Sequence, residues 1–146
     1  MNRDRLSSEN LHASCVVSDG RAVLITGPSG SGKSDLALRL IDRGFTLVSD
    51  DRTILRMDGA RLVASAPETI KGKLEIRGIG IVDMASINDV PVALVVELTG
   101  DMQRMPDDSQ ERLILGAGVP LVNVNAMTAS APAKVVVALD RLGLKN

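Results

Sequence analysis

Aromatic side chains are nearly missing from this sequence. Its 146 residues hold one phenylalanine, Phe45, and neither tryptophan nor tyrosine. Proteins that bind single-stranded nucleic acid without reading it stack the bases on aromatic rings, so the composition argues against that class. A nucleotide base would have to be held by aliphatic side chains, arginine stems or backbone. Charge of one sign is missing too: Lys+Arg number 17 against Asp+Glu 18. That balance argues against a duplex-binding surface driven by net positive charge. Cys15 is the single cysteine, which excludes an internal disulfide. It lies in an apolar run, Ala13 to Val17, and reads as an inert buried thiol. The first ten residues, MNRDRLSSEN, carry no apolar signal core. The longest apolar runs, such as VPVALVV from Val90, are too short to span a bilayer. The expectation is a soluble chain of a reducing, cytoplasmic compartment, with no membrane and no nucleic-acid partner. No repeat, low-complexity tract or linker is visible. One domain, 1–146, is the economical reading, with residues 1–9 polar and disordered.

What is present is a glycine-rich stretch, GPSGSGKSD, from Gly27 to Asp35. It fits the phosphate-loop pattern G-x-x-x-x-G-K-[ST] with Gly27, Gly32, Lys33 and Ser34 in the fixed places. The chemistry needs these types. Glycines let consecutive backbone N–H groups turn toward phosphate oxygens without a Cβ in the way. The loop Gly27, Ser29, Gly30, Ser31, Gly32, Lys33 and Ser34 is therefore the candidate nucleotide-binding segment. Lys33 brings a mobile positive charge to the outer phosphates, and Ser34 offers a hydroxyl to Mg²⁺. The helix starting there adds its N-terminal dipole. The flanks agree: Ala22 to Thr26 predicts a buried strand, and Leu36, Ala37, Leu40 and Ile41 predict the apolar face of a helix over Lys33 to Arg43. Asp35 and Arg39 are spaced to pair across one turn, and Gly44 fits the stop.

Around this loop the chain alternates strand and turn signals. His12 to Val17 and Arg21 to Thr26 predict a hairpin about Ser18-Asp19-Gly20. Phe45 to Val48 predicts a short strand, giving strand, loop, helix and strand as a βαβ unit with a right-handed parallel crossover. A second hairpin is expected over Thr53 to Met57 and Arg61 to Ala66. Pro67 to Lys73 reads as loop, followed by LEIRGIGIVDM, Leu74 to Met84. Val92 to Leu98 predicts a strongly apolar strand, Thr99 to Ser109 a mobile loop, and Leu113 to Leu115 and Val119 to Val124 further strand. A helix follows Pro132 and closes at Gly143. The fold class expected is α/β, with a central mixed sheet and flanking helices.

The strand after the helix ends at Asp50-Asp51, where ligands of such sheets bind. Phosphoryl transfer needs a carboxylate to orient and deprotonate the attacking hydroxyl, and Mg²⁺ to spread phosphate charge. Adjacent aspartates can divide those tasks. Glu75 and Arg77 are one residue apart, which on a strand puts both on one face. Glu97, ending an apolar strand, competes for the metal role. His12 is the only histidine, and alone such a residue is more often packing than chemistry. Arg104, in the expected mobile loop, could reach a phosphate on closure.

Three linked segments carry a family resemblance: GPSGSGKSD with a hairpin ahead of it, RGFTLVSDD (Arg43 to Asp51), and LEIRGIGIVD (Leu74 to Asp83). Together they resemble the catalytic domain of bacterial HPr kinase/phosphorylase, whose signature is L-E-I-R-G-[LI]-G. The resemblance implies a phosphate-loop domain similar to the phosphoenolpyruvate carboxykinase core. It implies Mg²⁺-dependent phosphorylation of a serine on the phosphocarrier protein HPr, from ATP or pyrophosphate. The reverse reaction, in which orthophosphate attacks phosphoserine and releases pyrophosphate, is implied as well. Asp50 carries over as the base, Ser34, Asp51 and Glu75 as the metal side, and His12, matching a histidine at the family's first strand, as a further catalytic candidate. Arg104 matches a loop arginine linked to phosphorolysis. A homo-oligomer, hexameric in the family, is implied.

Departures are specific. Asp35 stands where the family usually has Glu, Phe45 where it has His, and NAMTASAP (Asn125 to Pro132) lacks the Gly-Arg-Asn of the long forms. The chain is similar to the short alphaproteobacterial form. These departures bear on the reverse reaction more than on the forward one. Two other readings fit a phosphate loop: a small-molecule kinase, and a non-catalytic ATP-binding regulatory module. The intact Asp50 speaks against the second, and the little chain length left for a lid against the first.

Overall fold

The computed structural model describes residues 8–99 and 110–145. Over these residues the chain forms β1 (Ser8–Leu11), β2 (Ala13–Ser18), β3 (Arg21–Thr26), α1 (Lys33–Asp42), β4 (Thr46–Ser49), β5 (Thr53–Asp58) and β6 (Arg61–Ser65). It continues with β7 (Lys73–Ile76), β8 (Gly80–Asp83), β9 (Val90–Leu98), β10 (Gln110–Ile114), β11 (Ala117–Val124) and α2 (Ala131–Leu142). A short 3-10 turn, Glu68–Ile70, interrupts the expected loop before β7.

Nine strands join in one mixed sheet, ordered β1-β5-β6-β9-β3-β2-β4, with β10 and β11 attached through β11 to β9. The β9 strand runs parallel to β3 and to β11. The β7–β8 hairpin forms a separate two-stranded sheet. The expected unit around α1 is present with one difference. β4 pairs with β2, not with β3. Both neighbours of β2 are antiparallel to it, so β3 and β4 are parallel with β2 between them. The cause is the tight turn Asp19-Gly20, both residues at positive φ (53° and 73°). Such a turn matches strand twist and seats β2 beside β3, leaving β4 the next place out.

Two expectations about the N-terminal end change. His12 lies at a bend, not in a strand, and β1 and β2 diverge from it. Ser8 and Glu9, expected to be disordered, instead pair with Arg56 and Leu55 of β5.

Alternation along the strands builds two apolar layers. One takes Val16, Val23, Ile25 and Val96 from the sheet, with Leu36 and Leu40 of α1 and Val135 and Leu139 of α2. The other takes Cys15, Val17, Leu24 and Val95, closed by Leu55, Leu62, Ile114 and Val119 of other strands. Both helices therefore cover one face, and the curled sheet covers its own opposite face. A fully buried Leu, Ile or Val contributes roughly 1.5–3 kcal/mol, so these layers hold the frame. A register shift between Ala22 and Val23 lets Ala93 and Leu94 of β9 both enter the helix-side layer.

The helix ends follow their local chemistry. Gly32 precedes α1 at φ 101° with no side-chain cap, and Arg43 and Gly44 close it. The expected Asp35–Arg39 ion pair forms at 3.0 Å. α2 carries Pro132 in its first turn and ends at Gly143. Arg21 Nη1 donates to Leu139 O and Leu144 O, and Leu144 N donates to Ala93 O, tying this end to β9. No helix among the described residues is long and apolar enough to cross a membrane.

Candidate active site

Because β3, β4, β9 and β11 point the same way, their C-terminal ends share one sheet edge. Gly27, Asp50 and Asn125 follow three of these ends, and Glu97 sits on β9 in register with Thr26 and Asn123. The start of β2, antiparallel, brings Ser14 to the same edge, with His12 just ahead of it.

The glycine-rich loop leaves β3 here. Gly27 has φ 152°, and a Cβ on it would stand 2.7 Å from Ser31 Oγ and 3.2 Å from Leu98 Cβ. Gly30 and Gly32 also have positive φ, 80° and 101°. Lys33 is 6% exposed. Its Nζ donates to Gly27 O at 2.9 Å and Pro28 O at 3.1 Å, so the ammonium lies inside the loop's curve. Ser31 Oγ is, among the described residues, the buried side-chain polar atom found without a partner. With the uncapped N–H groups of α1 nearby, the loop concentrates donors and positive potential at one point, which suits an anion.

Behind the loop, Arg39 of α1 donates from Nη1 to Thr128 O at 3.3 Å and from Nη2 to Ala126 O. Ala126 Cβ lies 3.3 Å from where a Gly32 Cβ would be. The segment after β11 therefore backs the loop, and Arg39 clamps it there. Sequence periodicity showed only the Asp35 partner of this arginine.

Asp50 is the pivot. It is 7% exposed, and its carboxylate accepts three hydrogen bonds from the described residues. Oδ1 takes Ser14 Oγ at 2.9 Å and Ser34 Oγ at 2.6 Å. Oδ2 takes the backbone N–H of Glu75 at 3.0 Å. A buried carboxylate requires such partners. Asp51 is different. It is left-handed at φ 69°, its carboxylate is exposed, and Oδ1 meets His12 Nε2 at 2.7 Å. Its backbone N–H donates to Ser14 Oγ at 3.1 Å.

On the side away from the loop, a cleft of about 300 Å³ opens between Asp50, Asp51, Lys73, Glu75, Thr69 and Ile81. Asp50 thus touches the loop through Ser34 and faces the cleft. Ser34 Oγ meets Asp50 and not Asp51, and among the described residues no three His, Cys, Asp or Glu side chains converge to hold an ion by themselves. Arg77 falls in the turn beyond β7, so it does not share a strand face with Glu75. Lys73 pairs with Asp83 at 2.8 Å. Arg104 lies outside the described residues.

Ser14 was not singled out from sequence. The available signal was a hydroxyl within the apolar run Ala13 to Val17. A fully buried serine there has to find a partner, but nothing local names Asp50.

Comparison with known proteins identifies the family. The chain is 39% identical over 133 residues to HPr kinase/phosphorylase of Limosilactobacillus reuteri (strain DSM 20016), covering 82% of this chain and 42% of that protein. It is 42% identical over 130 residues to HPr kinase/phosphorylase of Chlorobium limicola, covering 80% of this chain and 39% of that protein. It spans about two fifths of the length of these curated relatives. Among solved structures, the Hpr(Ser) kinase/phosphatase from Coxiella burnetii superposes with a TM-score of 0.81 at 32% identity, covering 90% of this chain and 88% of that one. The pattern of the HPr Serine kinase C-terminal domain matches residues 4–142, and the chain belongs to that family.

Proposed function

We propose that this domain transfers a phosphoryl group between ATP, or pyrophosphate, and a serine hydroxyl of an HPr-like phosphocarrier protein. The observation that carries the reading is the position of Asp50, bonded to Ser34 of the glycine-rich loop on one side and lining an open cleft on the other. Gly27 to Ser34 act as a phosphate loop, within a fold resembling the phosphoenolpyruvate carboxykinase core. Its N–H groups and Lys33 hold the outer phosphates. The acceptor serine enters from the cleft.

In the forward direction the serine oxygen attacks the terminal phosphorus. A new P–O bond forms, the bridging P–O bond breaks, and the leaving group, ADP from ATP or orthophosphate from pyrophosphate, keeps the electron pair. The serine proton passes to Asp50. In the reverse direction orthophosphate attacks phosphoserine, pyrophosphate leaves the site, and Asp50 returns the proton to the serine. A carboxylate suffices as base because the transition state is loose.

The donor set fits Mg²⁺. This ion keeps several waters and substrate oxygens and takes only one or two protein oxygens, so an all-protein cage is not required. Ser34 Oγ and the carboxylates of Asp51 and Glu75 on the cleft are the oxygens that would serve it. When bound it supplies charge neutralisation on the phosphates. His12 holds Asp51 from outside, and Arg104 remains the candidate arginine for the reverse reaction. Like its family, the protein is taken to assemble as a homo-oligomer.

The test is incubation with Mg²⁺·ATP and an HPr-type protein, reading acceptor mass and phosphosite. One phosphate on a serine is expected, lost in Asp50→Asn. Circular dichroism and Tm of that variant check that it keeps the fold, so that the loss reads the carboxylate and not unfolding. ATP binding without transfer to the acceptor would defeat the reading.

A further inference from the structure

The two oxygens of Asp50 are not equivalent. A carboxylate oxygen offers about two lone-pair sites. Oδ1 has both occupied, by Ser14 Oγ and Ser34 Oγ. Among the described residues Oδ2 has one occupied, by Glu75 N–H. We infer that Oδ2 is the atom that exchanges the proton with the acceptor hydroxyl, and that Ser14 is the positioning residue that fixes this choice. The inference rests on the phosphoryl-transfer reading above.

The direction of the Ser14 hydroxyl is set by the backbone. Asp51 N–H can only donate, and it points at Ser14 Oγ from 3.1 Å. The hydroxyl accepts there and gives its own proton to Asp50 Oδ1 at 2.9 Å. One side chain thus joins both aspartates, the buried one through its carboxylate and the exposed one through its amide. Ser14 is itself fully buried and held by β2 between β3 and β4, so the bridge stands on the rigid part of the sheet. Ser34 cannot replace it, because its hydroxyl is also the loop's offering to a cation. When Ser34 turns away, Ser14 still holds Oδ1 and leaves the open site on Oδ2 to the acceptor entering by the cleft that Asp50 lines. The reaction then moves one proton from the serine oxygen to Oδ2 and no proton to Oδ1, where a hydroxyl donor already points.

The experiment compares the whole chain with Ser14→Ala and Ser14→Thr, using Mg²⁺·ATP and an HPr-type acceptor. A base misplaced by a fraction of an ångström loses rate steeply, on the order of a hundredfold per ångström. Ser14→Ala is expected to lower kcat about ten- to a hundredfold, with KM for both substrates little changed, and Ser14→Thr to restore it. Amide hydrogen exchange gives a readout independent of transfer: Asp51 N–H exchanges faster in Ser14→Ala and at the normal rate in Ser14→Thr. Unchanged kcat in Ser14→Ala overturns the proposal. So does an equal loss in both variants tracking a fall in Tm. If Ser14→Ala does not fold, Ser14→Cys, of similar size and a weak donor, takes its place with the same expectations. If the wild type transfers no phosphate, the phosphoryl-transfer reading fails by itself. Asp51 exchange then decides whether Ser14 holds the pair, and an unaltered rate in Ser14→Ala overturns that as well.

Discussion

Ser34 Oγ donates to Asp50 Oδ1 across 2.6 Å, so the last residue of the glycine-rich loop is in direct contact with the carboxylate that follows β4. Removing this hydroxyl separates two functions. In Ser34→Ala the carboxylate keeps Ser14 and Glu75, and the stability loss is about 1 kcal/mol, the net value of one hydrogen bond. Nucleotide affinity falls at least tenfold with Mg²⁺ present and changes little in EDTA. Calorimetric titration under both conditions checks this; equal losses would place Ser34 outside the cation's reach.

Gly27 and Gly30 make a matched pair of tests. Both have positive φ, but a Cβ on Gly27 would stand 2.7 Å from Ser31 Oγ whereas one on Gly30 meets nothing within 4 Å. Gly30→Ala therefore costs about 1–2 kcal/mol, the left-handed penalty alone. Gly27→Ala adds overpacking, for a total of about 2–4 kcal/mol, and deforms the loop. Urea unfolding gives the energies. Nucleotide titration is expected to show a loss at Gly27→Ala larger than at Gly30→Ala.

Burial pushes the Cys15 thiol far above its usual range, and the side chain sits in the strand-covered apolar layer. A thiol reagent at neutral pH is expected to modify it only when the sheet opens. Labelling rates measured against urea should follow global unfolding, and rapid labelling in native buffer would contradict the packing described.

Asp89 supplies a pH dependence whose sign is fixed. Its carboxyl is held below the usual range first by the Ser65 hydroxyl at 2.8 Å, then by Arg56 at 3.1 Å. A lowered folded-state value means the contribution is complete above the unfolded value of about 3.9 and is lost as pH falls through the folded value. The group is exposed, so the effect is small. Asp89→Asn, which tolerates the left-handed φ of 58°, should lower Tm at neutral pH and match the wild type near pH 2. A difference of the same size at both pH values would remove the charge from the explanation.

How far the sequence reveals the molecule depends on the range of each determinant. The turns at Asp19-Gly20, the loop from Gly27 to Ser34, the stop at Gly44 and the Asp35–Arg39 pair rest on neighbours within one turn. All were legible, as was Asp50 at a strand end. The seat of β4 beside β2 was not, because a hairpin and a crossover compete for the place next to β3 and local pattern does not rank them. The bend at His12 was hidden because Leu11 and Ala13 both look like strand, though they serve different neighbours. Ser14 was hidden for a related reason: its partners lie 36 and 37 positions away. Arg39 showed its partner at four residues and concealed those at 87 and 89.

The three donors to Asp50 lie 36, 16 and 25 positions from it along the chain. Each closes a loop of its own length, the Ser34 loop inside the Ser14 loop, and loop closure is what slows and orders folding. The carboxylate is therefore finished only after β2, α1 and the β7–β8 hairpin have all docked. A nascent or partly unravelled chain can retain most of its sheet and still lack a completed Asp50. Competence is in this sense a certificate of complete folding, and local opening of the small hairpin withdraws it before the sheet is disturbed.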